Sequence, residues 1–187
     1  MKMKTLKEGI ITHANSLGEL FKFSAEHTCR SMLHSLEEFA NMEFVTFKEL
    51  TAGFFLGFEH YLWASGCSRN TSACYFRALR AICREAEKEK ELKDAKRLFC
   101  EVFTGYEETR KRALSIEQLR MVADADLEDT PSLGVARDLF ILSYYLRGIP
   151  FIDLAYLRKT DIQDNVLCYR RSKTGRMLTI TLEPWMW

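Results

Sequence analysis

YRRSKTGRMLTITL, residues 169–182, is where the side-chain rhythm of this chain changes. Upstream, apolar residues recur every three or four positions. Here Leu178, Ile180 and Leu182 alternate strictly with Met177, Thr179 and Thr181, the period of a strand with one buried face. Gly175 supplies the backbone freedom that a tight turn demands, so the stretch reads as a β-hairpin whose turn carries Ser172, Lys173 and Thr174. A lysine there is either an ordinary hydrophilic tip or an ammonium on a flexible stem that swings into a neighbouring site.

Ahead of the hairpin, SLGVARDLFILSYYLRG (132–148) is apolar almost all round, which predicts a helix buried in a core, with Gly148 as its C-terminal cap. Pro150 opens a further helix, PFIDLAYLRKTDI, with Asp153 in the first turn, where the helix dipole favours an acid. Ser115 and Gln118 form a capping box for IEQLRMVADAD. The charged stretch with Gly105 before it marks a boundary near 104–114, between an N-terminal helical bundle and a second unit.

In the bundle, helical periodicity runs from Leu17 to about Ala40. A second run, from Thr46 as N-cap to about Ser65, buries Phe47, Leu50, Phe54, Phe58 and Leu62. KEKELKDAKRLF adds a short helix. Between these, a helix capped by Ser68 or Asn70 runs to about Lys90. Its apolar side holds Tyr75, Ala78, Leu79, Ile82, Cys83 and Ala86, while Arg77, Arg80, Arg84 and Lys88 fall within an arc of roughly 80° opposite. The basic face is either a grip for a polyanion or a solvated surface paired with Glu85, Glu87 and Glu89.

Composition narrows the class without deciding it. The 187 residues are 47% hydrophobic, enough for a packed core, and 27 basic against 26 acidic residues leave a net charge of +1. Six cysteines without a CxxC pair and four histidines without ligand spacing read as buried thiols in a reducing compartment, with no metal site. No apolar run is long enough for a signal peptide or a membrane span.

Taken together, LRGIPFIDLAYLRKTDI, SKTGRMLTITL and the preceding basic-faced bundle resemble the tyrosine recombinase (phage integrase) family, and are most similar to mobile-element integrases of Bacteroides-type bacteria. The resemblance implies a mainly α fold: a SAM-like helical core-binding domain over 1–104, then over 112–187 the N-terminal part of an α-rich catalytic domain with a small β-hairpin. It implies site-specific recombination, in which a tyrosine attacks a DNA phosphodiester to form a 3′-phosphotyrosyl link and release a 5′-hydroxyl. Arginines and histidine-type donors hold the phosphate, and a hairpin lysine protonates the departing oxygen.

By that resemblance Lys173 is the general acid. The family's first arginine aligns with Pro150, a departure from its pattern. Arg147, three residues earlier, is either the substitute phosphate ligand or a cation neutralising a helix end or paired with Asp153. The His-x-x-Arg segment and the nucleophilic tyrosine of the family lie beyond the hairpin and have no counterpart here. Tyr144, Tyr145, Tyr156 and Tyr169 read as packing aromatics. The expectation is therefore a truncated recombinase that binds DNA without cutting it.

Candidate DNA contacts are Arg77, Arg80, Arg84 and Lys88, with Arg69, Asn70 and Thr71 at the helix entrance; Lys111, Arg112, Arg158, Lys159, Arg170 and Arg171 extend the surface. The implied partner is double-stranded DNA, engaged as a multimer in the whole protein. No cofactor or membrane is implied, and the location is bacterial, cytoplasmic and DNA-associated. A non-catalytic DNA-binding module and a helical protein-interaction unit are the alternatives.

Overall fold

The structure is a computed structural model that describes residues 4–184. It is mainly helical, with one small antiparallel sheet. The chain divides into two compact units, residues 1–110 and 111–187.

The first unit opens with α1 (Leu6–Glu19), started by a capping box in which Thr5 Oγ1 accepts from the Glu8 amide at 3.1 Å and the Glu8 carboxylate accepts from the Thr5 amide at 2.8 Å. Then come α2 (Phe23–Phe39), α3 (Ala52–Ala64) and α4 (Arg69–Lys88). Leu6, Ile10, Met32, Phe55, Phe58 and Phe76 are fully buried between them. Gly9 lets α1 close on the ring of Phe47: a Cβ there would sit 2.5 Å from Phe47 Cζ.

Three expectations for this unit are corrected. The periodic run from Leu17 is not one helix, because the chain reverses at Phe21, whose φ is +57°. Phe21 and Lys22 donate to the Gly18 and Leu17 carbonyls at 2.9 Å each, a helix stop built with a left-handed phenylalanine instead of glycine. Thr46 caps only a 3-10 turn (Phe47–Glu49), and α3 starts five residues later, where Thr51 accepts from the Phe54 amide at 3.1 Å. The helix expected in KEKELKDAKRLF is a 3-10 turn at Arg97–Phe99.

Along α4 the periodicity reads correctly. Leu79, Ile82, Cys83 and Ala86 are buried, Tyr75 and Ala78 are partly so, and Ser68 is the cap, accepting from the Thr71 amide at 3.2 Å. The cysteines divide: Cys29 and Cys83 are buried, but Cys74, Cys100 and Cys168 are exposed, so the expectation of buried thiols holds for part of the set. Burial pushes the Cys83 thiol up to about 12.

The second unit comprises α5 (Ile116–Ala123), α6 (Pro131–Tyr145), α7 (Phe151–Ala155), a 3-10 turn (Lys159–Asp161) and the strands β1 (Ile162–Gln163), β2 (Val166–Arg170) and β3 (Met177–Thr181). The sheet order is β1-β2-β3, all antiparallel, with Leu167 opposite Ile180 and Tyr169 opposite Leu178. The hairpin thus gains a third, short strand through a turn at Asp164 and Asn165, both with positive φ (+48° and +61°). Leu167, Ile180 and Leu182 face a core closed by Leu146, Ile149 and Leu154, and Met177, Thr179 and Thr181 face out.

Two helices differ from expectation. α6 is not buried: Leu133, Val135, Phe140 and Tyr144 are 45–59% exposed, and the side bearing Leu139 packs on the core. An all-round apolar surface asks for cover on every side, and α5, α7 and the core beneath cover α6 only in part. α7 is shorter than PFIDLAYLRKTDI suggests, ending at Ala155 before the 3-10 turn at 159–161.

Candidate functional site

Lys173 stands where β2 turns into β3. The Arg171 amide donates to the Arg176 carbonyl at 2.9 Å, and the Gly175 amide donates to the Arg171 carbonyl at 2.7 Å, with Gly175 at φ +66°. Ser172 to Gly175 therefore form a closed four-residue tip, and the Lys173 side chain is exposed with no partner among the described residues.

The base of that tip is tied to α7. Asp153, 4% exposed, accepts from the Ser172 amide through Oδ1 at 2.9 Å. Its Oδ2 is buried without a partner among the described residues, as is Arg171 Nε. Beside them lies a cleft of about 290 Å3 whose lining includes Asp153, Asp161, Tyr156, Tyr169, Arg170 and Ser172. Asp161 is engaged at its own turn, accepting from the Arg158 amide at 2.7 Å, and Arg170 closes the tip by donating to the Gly175 carbonyl at 2.9 Å.

Arg147 sits on the stop of α6. Its amide donates to the Tyr144 carbonyl at 3.0 Å and that of Gly148 to the Ser143 carbonyl at 2.8 Å, so Arg147, at φ +58°, fills the left-handed position where glycine is usual. The expectation that Gly148 caps the helix is off by one residue: Gly148 follows the cap, also with positive φ (+78°). The Arg147 side chain is exposed, and the pairing with Asp153, one alternative for it, is not made. Tyr145 is half-buried and Tyr169 buried, but Tyr144 and Tyr156 are 52% and 74% exposed, so the packing role foreseen for those two does not hold.

On α4 the basic residues separate into two groups. At the entrance, Thr71 belongs to the Ser68 cap, and the Arg69 guanidinium lies over the rings of Trp63 and Phe103, at 5.1 and 4.9 Å. Asn70 exchanges two 2.8 Å hydrogen bonds with the backbone of Glu107, and Arg80 donates to Thr104 Oγ1 at 2.9 Å. The other three, Arg77, Arg84 and Lys88, are exposed; Arg77 donates to Cys74 Sγ at 2.9 Å on the same helix, and Arg84 and Lys88 have no partner among the described residues.

The acids that would neutralise this face are engaged elsewhere. Glu85 pairs with His13 at 3.0 Å, Glu89 with Lys4 at 2.9 Å, and Glu87 accepts from the Ala95 amide at 3.2 Å. None of the three bonds a basic residue of α4. In the second unit Lys111, Arg112, Arg158, Lys159 and Arg170 are exposed, and Arg171 is half-buried.

The sequence profile of the phage integrase SAM-like domain matches residues 6–102, over half of the chain. The chain belongs to the phage integrase SAM-like family. No curated protein sequence matches it significantly. Among solved structures, a lambda integrase tetramer bound to a Holliday junction superposes with a TM-score of 0.72 at 17% identity, over 96% of this chain and 49% of that one. A lambda integrase bound to DNA gives 0.70 at 18% identity, over 95% and 60%. At such identities the integrase likeness is one of fold, and this integrase-like chain spans about half the length of the first of those chains. No helix among its described residues is long and apolar enough to cross a membrane.

Proposed function

We propose that this chain grips duplex DNA through α4 and that its second unit contributes to a DNA strand-transfer site in a site-specific recombinase. The observation that carries the reading is the uncompensated basic face of α4: Arg77, Arg84 and Lys88 point outward while Glu85, Glu87 and Glu89 serve contacts elsewhere. A solvated charge face would be laced with its own ion pairs; this one offers cations to phosphates. The DNA-bound lambda integrases of similar fold support the same partner.

In this reading of the strand-transfer site, Lys173 gives a proton to the departing 5′ oxygen, and Arg147 holds two nonbridging oxygens of the scissile phosphate as charge builds on them. Asp153 fixes the base of the hairpin tip through the Ser172 amide, so the tip alone needs to move to deliver the ammonium. The nucleophilic tyrosine is assigned to none of Tyr144, Tyr145, Tyr156 and Tyr169. Lys111, Arg112, Arg158, Lys159 and Arg170 are the further phosphate contacts of this reading.

Fluorescence anisotropy with a mixed-sequence duplex tests the grip. Affinity should fall steeply with salt, log K declining by about 0.9 per phosphate neutralised against log salt, so at least the three α4 contacts give a slope near −2.7 or steeper. No binding at about 50 mM salt would sink the reading.

Arg147 has its own test. A non-glycine residue in the left-handed region costs about 1 kcal/mol, so Arg147→Gly should raise the unfolding midpoint of the second unit by about 4–8 °C. The same substitution should flatten the salt slope of DNA binding by about 1. A more stable variant with unchanged salt dependence would leave Arg147 a helix-end residue and remove it from the site.

A further inference from the structure

We propose that Glu59, Arg69, Asn70 and Arg80 form a latch that pins residues 103–107 onto the corner between α3 and α4, so that the free connector between the two units is only residues 108–114. This stands independently of the DNA reading. Residues 100–115 form no helix or strand, and the sequence marks a boundary near 104–114. Its first half is nonetheless held to α3 and α4 at Phe103, Thr104 and Glu107.

Glu59, on α3, is 2% exposed, and its Oε1 accepts from the Phe103 amide at 2.8 Å. A carboxylate that deep is costly to bury unless it does something for the backbone, and here it takes up an amide that no helix or strand satisfies. One residue on, Thr104 Oγ1 accepts from Arg80 at 2.9 Å, and the same guanidinium lies 5.5 Å from the centre of the Phe99 ring. Glu107 then closes the strap: its amide donates to Asn70 Oδ1 and its carbonyl accepts from Asn70 Nδ2, each at 2.8 Å. Between these points Arg69 lies over both Trp63 and Phe103, and Trp63 is in turn fixed by donating to Ser72 Oγ at 3.2 Å.

The consequence is one of reach. Seven free residues extend at most about 25 Å, whereas a connector free from Phe103 onward would have twelve and extend about 43 Å. The latch therefore sets how far the second unit can travel from the first. It also divides the polar side chains of α4: Arg69, Asn70 and Arg80 hold the connector, while Arg77, Arg84 and Lys88 are left open.

Residue-resolved amide hydrogen exchange on the DNA-free chain tests this. The Phe103 and Glu107 amides, protected only by side chains, should exchange at least 100-fold more slowly than those of residues 108–114. Asn70→Ala should speed exchange at Glu107 by tenfold or more while the amides of Leu79 and Ile82 in α4 stay protected, which reports that the unit is still folded. Asn70→Asp, which keeps the acceptor for the Glu107 amide, should restore part of that protection. Glu107 exchanging as fast as residues 108–114 in the unaltered chain, or unchanged by Asn70→Ala, would overturn the latch.

Discussion

If α4 grips DNA as proposed, changing Arg77, Arg84 and Lys88 together to Glu should weaken duplex binding by about 100-fold or more at about 50 mM salt and flatten the salt slope by close to 3. Each residue is exposed on α4, and each lies opposite the buried row of Leu79, Ile82 and Cys83, so the change leaves the core untouched. Glu is nearly as good a helix former as Arg or Lys, so propensity is conserved too. The one structural cost is an acid in the last turn, where the helix dipole opposes it by about 0.3–1 kcal/mol; a matched triple change to Gln removes that complication. With Gln the phosphate contacts are lost but no repulsion is added, so affinity should fall less while the slope flattens by the same amount. Arg80 is left out deliberately: its bond to Thr104 and its place over Phe99 would confuse a lost phosphate contact with a loosened connector. Unchanged affinity in both triple variants would show that the bare basic face has no polyanion to meet.

What was legible in the sequence depended on how far apart the partners are. The alternation from Met177 to Leu182 and the Ser115–Gln118 capping box are local patterns that appear in the structure as read, and of the two caps read for α4, Ser68 or Asn70, the structure uses Ser68. The break between α1 and α2 was hidden because a phenylalanine, not a glycine, takes the left-handed position at residue 21. Arg147 and Lys90 do the same at the ends of α6 and α4, while α3 alone of these four helices stops on a glycine, Gly66. A reader looking for glycine stops finds one in four. The turn at Asp164 and Asn165 did carry a signal, since both residue types tolerate positive φ, and it could have revealed β1.

The least legible features are those that decide function. Whether α4 is a neutral or a basic surface depends on where Glu85 and Glu89 find partners, and those are His13 and Lys4, 72 and 85 residues away. Likewise Asn70 looks like a free amide at a helix entrance, and its partner is the backbone 37 residues on. Periodicity places a side chain on a face; only the tertiary fold says whether that side chain is already spoken for.

The largest stability loss should come from Phe55→Ala, at about 3–5 kcal/mol. Phe55 is fully buried on α3, its ring stacked on Phe99 with centroids 4.8 Å apart and edge-on to Phe76 at 6.3 Å. Truncation removes the transfer energy of the ring, leaves a cavity among large aromatics that cannot collapse into it, and forfeits about 0.5–1.5 kcal/mol for each aromatic pair. For a unit of this size the unfolding midpoint should drop by roughly 15–25 °C in thermal melts. Phe55→Leu, which keeps most of the volume, should cost about a third as much; equal losses for the two would mean that ring geometry, not filled volume, holds the core. The effect should reach the connector as well. Phe99 is the ring that Arg80 lies over while it holds Thr104, so a loosened Phe99 frees the strap before the helices melt. At a temperature where Phe55→Ala remains folded, the Phe103 and Glu107 amides should already exchange faster than in the unaltered chain. A midpoint lowered by less than about 5 °C would show that the aromatic cluster is not the keystone of the first unit.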